Sequence, residues 1–228
     1  MKNIPCDMHT HSVFSHDGGK DSSIDALCMR AIELGLSDLA ITDHCDVNGE
    51  AEKIYASYDS DGAWQAMCAA KEKYRGSLNL ILGIELGQPE QYPEVAEAFL
   101  RRHPYEFIIG SVHNLDRVPD FCMMNFEYIP DALASQLFDR TLDEMNALID
   151  FPITTLAHLT YQTRYMAMAG KSFDFAPHRD KTAALLKKLI SRGIALEVNV
   201  STVWRGLGFT MPQAEIIALY RDLGGSLI

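Results

Sequence analysis

The sequence lacks the features that would place it among disulfide-rich, secreted or membrane-spanning proteins. Its five cysteines are odd in number and scattered, without a Cys-x-x-Cys pair, which argues against a disulfide framework. No apolar run approaches the roughly 18 residues that a membrane helix needs, and the first residues include no apolar segment typical of a signal peptide. We therefore expect a cytoplasmic protein with reduced thiols and no membrane partner.

Positive charge is also scarce. The 31 acidic residues outnumber the 20 lysines and arginines, which gives a net charge of -11. Such a surface repels phosphate backbones, so we expect no nucleic-acid partner. Repeats, low-complexity tracts and Pro/Gly-rich linkers are absent as well, so we expect a single domain over residues 1–228.

Short apolar runs alternate along the chain with segments of helical spacing. The apolar runs predict strands over residues 39–42, 78–84, 107–110, 153–157 and 194–200. The helical spacing predicts helices over residues 22–34, 61–75, 93–102, 130–149, 177–191 and 212–222. Ser22 and Ser23 are expected to open the first of these helices and Gly35 to stop it, and Pro212 suits the first position of the last. This alternation favours an α/β barrel of parallel strands, in which six units are clear and a seventh strand only begins at Ser226.

Five of the eight histidines lie at the ends of predicted strands: His9, His11, His44, His113 and His158. The carboxyl ends of parallel barrel strands form one rim, so these side chains are expected to converge. Any one of them alone would more often be a buried, hydrogen-bonded imidazole. Together with Glu85, which directly follows the predicted strand over 78–84, they indicate a metal site.

Each of the individual candidates has an alternative explanation. His9 and His11 point to the same side of a strand and can ligate one metal, or they are exposed polar residues. Asp17 is either a carboxylate ligand or a turn residue of the loop over residues 15–19. Asp43 either orients His44 or caps a helix. Glu85 either bridges two cations or forms a salt bridge with an arginine.

Two arginines follow later predicted strands. Arg164 comes just after His158, and Arg205 comes just after the segment Glu197–Ser201. On the same rim, their guanidinium groups could bind a phosphate bidentately, although an exposed, solvated arginine would be the ordinary alternative. The mixed set of imidazoles and carboxylates suits zinc, manganese or iron.

These residues form an ordered set of short motifs that extends over essentially the whole chain. The motifs are Asp7-x-His9-x-His11, Thr42-Asp43-His44, Gly83-Ile84-Glu85, Gly110-Ser111-Val112-His113 and Ala157-His158. In order and spacing they resemble those of the polymerase-and-histidinol-phosphatase (PHP) superfamily. The segments 110–116, 197–201 and 217–225 resemble its monofunctional histidinol-phosphate phosphatases in particular.

The resemblance implies a distorted (β/α)7 barrel that holds two or three divalent metals. It implies His9, His11 and Glu85 as ligands of the first metal, and Glu85, His113 and His158 as ligands of the second. Asp17, with His16 as the alternative, and His44 would hold the third. Arg164 and Arg205 would bind the substrate phosphate. The family ends its last strand with Asp-x-His, whereas this sequence stops at Ile228, so we expect the last strand to be cut short and the native chain to continue.

The expected function is that of a metal-dependent phosphomonoesterase, which hydrolyses L-histidinol phosphate to L-histidinol and phosphate in histidine biosynthesis. Its substrate would be a small-molecule phosphate ester, and clustered cations would generate hydroxide from water near neutral pH. No residue is identified as the general acid. The alternatives are another PHP phosphoesterase, either a protein-tyrosine phosphatase or a nuclease, and a metal-binding barrel without turnover if the final Asp-x-His is truly absent.

Overall fold

The computed structural model describes residues 5–53 and 58–228. The chain divides into two compact units, the first ending at Ile109 and the second extending from Gly110 to Ile228. The expectation of one domain over residues 1–228 stays a prediction. Among the described helices, none combines the length and the apolarity required to cross a membrane.

The first unit alternates strands and helices. Its strands are β1 (Cys6–Thr10), β2 (Asp38–Ile41), β3 (His44–Asp46), β4 (Asn79–Gly87) and the beginning of β5 (Phe107–Ser111). Its helices are α1 (Ile24–Glu33), α2 (Val47–Glu52), α3 (Ser60–Lys73) and α4 (Pro93–Leu100). The helices and strands of this half for which bounds were predicted are confirmed within a few residues. Strand β1 was expected only as the strand that carries His9 and His11, without bounds, and β3 and α2 were not predicted.

The sheet of the first unit has the order β1-β2-β4-β5, with β3 paired to the far end of β4. The pairs β1–β2, β2–β4 and β3–β4 are parallel, as the alternation predicted. Because β3 gives β4 a second partner, β4 continues to Gly87 instead of ending at Ile84. The expectation that Glu85 directly follows a strand is therefore wrong, since Glu85 lies inside β4.

Helices α1 and α3 pack beside β2 and β4 and form the core of the first unit. In α1 the buried residues Ile24, Cys28 and Ala31 recur at spacings of four and three, which is the period of one helix face. Ser23 caps the helix by accepting a hydrogen bond from the Ala26 N–H, as the serine pair predicted. Gly35 follows the helix with a φ of +73°, a conformation that favours glycine.

The second unit contains the short strands β6 (Thr155–Leu156) and β7 (Ala195–Leu196), which pair in parallel. Its helices are α5 (Asp131–Leu148), α6 (Tyr161–Met168), α7 (Arg179–Ser191), α8 (Ser201–Trp204) and α9 (Ala214–Asp222), with 3-10 turns at Phe121–Met123 and Ala176–His178. The Ala157 N–H donates to the Gly110 carbonyl at the end of β5. Leu227 forms an isolated parallel bridge with Leu196, at the place where the sequence predicts the beginning of a further strand.

Several predicted boundaries in the second unit are wrong. Strands were predicted over 153–157 and 194–200, yet β6 and β7 span two residues each. After Leu196 the backbone of Asn199 forms an antiparallel bridge with Met211, which ends the parallel ladder. Pro212 is not the first helical residue, because α9 begins at Ala214 with Gln213 as its N-cap. Helices α6 and α8 were not predicted.

Candidate metal centre

In the first unit, His9 of β1 and His11 just after β1 lie against one carboxylate of β4, that of Glu85. His9 Nε2 lies 3.0 Å from His11 Nε2 and 3.0 Å from Glu85 Oε2. His11 Nε2 lies 3.1 Å from the same oxygen. The β1–β2 register shifts between Asp7 and Thr10, so the backbone is irregular where His9 lies. These three residues, predicted as the ligands of the first metal, therefore lie together.

Glu85 is fully buried and is placed by the register of the sheet. Its Cα partner in β3 is His44, whose Nδ1 lies 3.3 Å from Glu85 Oε2. Two residues earlier, a Cβ on Gly83 would lie 2.9 Å from the Ile41 carbonyl oxygen and 3.0 Å from that of Phe107. Only glycine lets β4 approach both neighbours this closely. The carboxylate oxygen Oε2 of Glu85 contacts the imidazoles of His9, His11 and His44.

Asp17 lies on the other side of the His11 ring. Its Oδ1 and Oδ2 are 2.9 Å and 3.0 Å from His11 Nδ1, and Oδ2 is 3.5 Å from His44 Nε2. Ser15 Oγ donates to Asp17 Oδ1 at 2.7 Å. The His16 ring centroid lies 4.7 Å from that of His44. Asp17 therefore lies beside His44, as expected for a third-metal position, and His16 lies near enough to stay the alternative.

The proton balance of this cluster reflects the pairing of imidazoles with carboxylates. Burial alone would lower the pKa of His11, but the hydrogen bonds to Asp17 and Glu85 raise it to about 9. Burial would raise the pKa of Asp17, but the hydrogen bonds with His11 and His44 lower it well below its usual range. Both shifts describe a site that attracts positive charge, which a divalent cation supplies more strongly than a proton.

Asp43 has a role that the sequence did not predict. It is fully buried and accepts hydrogen bonds from the backbone N–H and the side-chain hydroxyl of Ser12, the residue after His11. Burial raises the pKa of Asp43, although the two bonds from Ser12 act in the opposite direction. The backbone carbonyl of Asp43 also accepts the Glu85 N–H. Asp43 thus ties the loop after β1 to the segment that carries His44.

The donor atoms of the first unit fit a transition-metal site. Ligand atoms about 2.1 Å from a tetrahedral zinc ion lie about 3.4 Å from one another, and the triangle of His9, His11 and Glu85 atoms has sides of 3.0–3.1 Å. A second combination, His11, His44 and Glu85, offers three atoms within 4.8 Å of one another. Imidazole and carboxylate donors suit zinc, manganese and iron.

The second unit places His113 and His158 side by side. Their ring centroids are 5.2 Å apart, and each lies 5.1 Å from the ring of Tyr161. Both histidines are buried. His158 has a φ of +25°, which is unusual for a residue other than glycine, and its backbone N–H donates to Glu197 Oε2 at 2.7 Å. The two histidines predicted as second-metal ligands therefore lie together within this unit.

The two predicted phosphate-binding arginines have different surroundings. Arg164 lies on α6, packs over the rings of Tyr161 and Tyr165 at 5.3 Å and 5.8 Å, and donates to Ser201 Oγ at 2.5 Å. Its Nε is buried and has no hydrogen-bond partner among the described residues. Arg205 is exposed at the end of α8, and no described residue forms a hydrogen bond or ion pair with its side chain. The structure brings only Arg164 into a polar cluster.

Sequence reasoning left Ser12, Tyr161, Glu197, Asn199 and Ser201 without a role. Three of these residues belong to the segment Glu197-Val198-Asn199-Val200-Ser201, whose polar side chains recur at every second position. That alternation was the available signal. Ser12 and Tyr161 carried no such signal, since their positions depend on contacts made by the folded chain.

Comparison with known proteins places this arrangement in a family. The model of the PHP domain family matches residues 7–201. The chain belongs to the PHP family. A probable histidinol-phosphatase from Thermotoga maritima is 30% identical over 223 residues, which cover 97% of this chain and 80% of that protein.

Two solved structures share the PHP-family fold of this chain. The HisK protein from Listeria monocytogenes superposes with a TM-score of 0.84 at 20% identity and covers 98% of this chain and 93% of its own. The histidinol phosphate phosphatase from Lactococcus lactis gives a TM-score of 0.79 at 21% identity, with 98% and 84% covered, and that structure contains zinc, L-histidinol and phosphate. The predicted distorted barrel of the PHP type is confirmed.

Proposed function

We propose that this PHP-family protein is a metal-dependent phosphomonoesterase that hydrolyses L-histidinol phosphate to L-histidinol and phosphate. The observation that carries the proposal is the contact of His9, His11 and His44 with the buried carboxylate of Glu85. The name of the Thermotoga maritima relative and the histidinol and phosphate in the Lactococcus lactis structure support the choice of substrate.

The proposed metal ligands are five histidines and two carboxylates. The first unit supplies His9, His11, Asp17, His44 and Glu85, and the second supplies His113 and His158. Two or three divalent cations would be bound, and zinc in the Lactococcus lactis structure makes zinc the first candidate ahead of manganese and iron. When bound, such cations make water nucleophilic near neutral pH and offset the negative charge of the phosphoryl oxygens.

The protein's own side chains have separate tasks in this reaction. The carboxylates of Glu85 and Asp17 supply the negative charge that holds cations, and the imidazoles complete the donor set. Asp43 and Ser12 fix the backbone that carries these ligands. Arg164 would bind the substrate phosphate, because its positively charged guanidinium is oriented by two tyrosine rings and by the hydroxyl of Ser201. Arg205 would be a second phosphate contact.

The proposed setting is histidine biosynthesis in the cytoplasm. The five cysteines are odd in number and scattered, without a Cys-x-x-Cys pair, which suits a reducing compartment. The net charge of -11 favours a small phosphate ester over nucleic acid as substrate.

The test is release of phosphate by the purified protein. L-histidinol phosphate, phosphotyrosine and a single-stranded oligonucleotide would be compared with zinc or manganese added, and with a chelator as control. We expect release that is selective for L-histidinol phosphate and lost with the chelator. Selective turnover of phosphotyrosine or the oligonucleotide would move the function elsewhere in the PHP family. Metal binding without any turnover would contradict the proposed enzyme.

A further inference from the structure

Three polar side chains follow β7 at alternate positions and are hydrogen-bonded in series. Asn199 Nδ2 donates to Glu197 Oε1 at 3.3 Å. Ser201 donates to Asn199 Oδ1 twice, from its backbone N–H at 3.0 Å and from its hydroxyl at 2.5 Å. Residues two apart in an extended segment point to the same side, which brings the three together. We name Glu197, Asn199 and Ser201 the polar relay.

The polar relay joins two residues that have different proposed tasks. At one end, Arg164 donates to Ser201 Oγ at 2.5 Å. At the other end, Glu197 Oε2 accepts the backbone N–H of His158 at 2.7 Å. Every donor between Arg164 and Glu197 therefore points toward the carboxylate. Such a series, with a cation at one end and an anion at the other, strengthens each of its hydrogen bonds by polarisation.

The backbone under the polar relay is fixed on both sides. The Glu197 N–H donates to the Leu156 carbonyl at 3.0 Å. Asn199 exchanges both backbone hydrogen bonds with Met211, each of 2.9 Å. The side chains of the polar relay are therefore held in place by their own backbone, and the positions of His158 and Arg164 depend on them.

His158 has an unusual backbone conformation that needs such a support. Its φ of +25° costs conformational energy in a residue with a side chain, and such a conformation persists only where the surroundings enforce it. The buried Glu197 carboxylate accepts the His158 N–H. It thereby fixes the backbone position from which the imidazole side chain projects. The same carboxylate, through Asn199 and Ser201, fixes the guanidinium of Arg164.

We propose that Glu197, Asn199 and Ser201 are positioning residues. They fix the distance and orientation between the side chains of His158 and Arg164. The inference rests on the proposed function, in which His158 binds metal and Arg164 binds phosphate. The polar relay then aligns His158, the metal ligand, with Arg164, the phosphate contact. An in-line transfer of a phosphoryl group requires such an alignment.

A donor–acceptor exchange tests the polar relay, and its double variant keeps the net charge of the wild type. In Glu197→Gln, the new amide oxygen still accepts the His158 N–H. The new NH2 group then faces the NH2 group of Asn199, so two donors meet. In Asn199→Asp, two carboxylates meet. In the double variant Glu197→Gln/Asn199→Asp, the new amide donates to the new carboxylate, which still accepts from Ser201. We expect each single variant to lose about tenfold or more in kcat/KM, and the double variant to recover most of the loss.

Two further readouts separate positioning from a merely structural role. Asn199→Ala interrupts the polar relay between its two ends, so we expect weaker binding of inorganic phosphate to the metal-loaded protein while the metal content per chain stays unchanged. Glu197→Gln, which alters the support of His158, is expected to lower both metal affinity and kcat. Melting temperatures of all variants show whether the fold is retained, and Glu215→Gln on the exposed face of α9 is the matched control.

The outcomes distinguish this proposal from the proposed function. If the wild type binds metal and phosphate but does not hydrolyse L-histidinol phosphate, the proposed function fails and the two binding measurements still decide on the polar relay. The polar relay is overturned if Asn199→Ala and Glu197→Gln bind metal and phosphate like the wild type. It is also overturned if the double variant is no better than the single variants, or if the wild type binds no phosphate.

Discussion

Glu85 and His44 are Cα partners in the parallel pair β3–β4, and Glu85 Oε2 lies 3.3 Å from His44 Nδ1. Partner residues of adjacent strands project from the same face of the sheet, so strand register places this contact. The same oxygen lies within 3.1 Å of nitrogen atoms of His9 and His11. One carboxylate oxygen thus faces three imidazoles, and the first unit depends on it for its candidate metal centre.

Glu85→Gln is expected to remove most of the bound metal and to lower phosphatase activity by about a hundredfold or more. The amide keeps the volume of the side chain but removes the negative charge that offsets a cation in a buried position. Metal content by elemental analysis and phosphate release are the measurements. Glu97→Gln, on the exposed face of α4 where Glu97 pairs only weakly with Arg101, is the matched control and should behave like the wild type. Equal metal content in the two variants would contradict the prediction.

Gly18→Ala is expected to lower activity by about tenfold or more by displacing Asp17. A Cβ on Gly18 would lie 1.8 Å from the backbone oxygen of Ser12, so the loop that carries Asp17 must move. A Cβ on Gly19 would meet the side-chain oxygen of Ser22 at 2.9 Å, and that side chain can rotate away. Gly19→Ala is therefore the control, with activity close to that of the wild type. Similar losses in both variants would show that loop rigidity, rather than the place of Asp17, decides activity.

Much of the scaffold was predictable because it depends on local patterns. The helix over residues 22–34 was marked by a serine cap, an apolar stripe and Gly35, and the structure has α1 at Ile24–Glu33. Glu85 and the histidines were identified from residue types after apolar runs. The place of Glu85 inside β4 was not predictable, because the strand is extended by β3, a three-residue element that exists only through its pairing.

The polar relay shows a different limit. Its residues alternate in the sequence, but their function depends on the backbone of His158 and on helix α6, which orients Arg164. Helix α6 buries Tyr161, Gln162 and Thr163 rather than an aliphatic stripe, so hydrophobic periodicity did not reveal it. Arg205 shows the opposite case. Its position after a predicted strand suggested a phosphate contact, and its side chain is exposed in the structure.

The metal-free protein is expected to lose stability as the pH rises from about 6.5 to about 9. His11 has a pKa near 6.5 when unfolded and about 9 when folded, so its pairing with Asp17 and Glu85 stabilises fully below pH 6.5. The stabilisation declines as the pH rises from there and is lost above pH 9. Melting temperatures of chelator-treated protein between pH 6 and pH 10 measure this. The His11→Asn variant should lack that dependence. Added zinc should reverse the trend, since metal binds the deprotonated imidazole. A flat profile for the metal-free wild type would contradict the prediction.

His178 is expected to contribute to stability without affecting the metals. It is buried, and its two ring nitrogens contact Asp139 Oδ1 at 2.8 Å and Ser135 Oγ at 3.0 Å, which joins the turn before α7 to helix α5. Its ring also lies against Phe138 and Phe173. His178→Ala should lower the free energy of unfolding by about 2–5 kcal/mol, since it removes both packing and hydrogen bonds.

His178→Phe separates the two contributions, because it keeps an aromatic ring and removes only the hydrogen bonds. Ser135 and Asp139 are partly exposed and can turn to water, so we expect a smaller loss of about 1–3 kcal/mol. Denaturant unfolding measures both variants, and metal content should equal that of the wild type in each. A loss of metal in either variant would mean that His178 supports the candidate metal centre as well as the packing of α5 and α7.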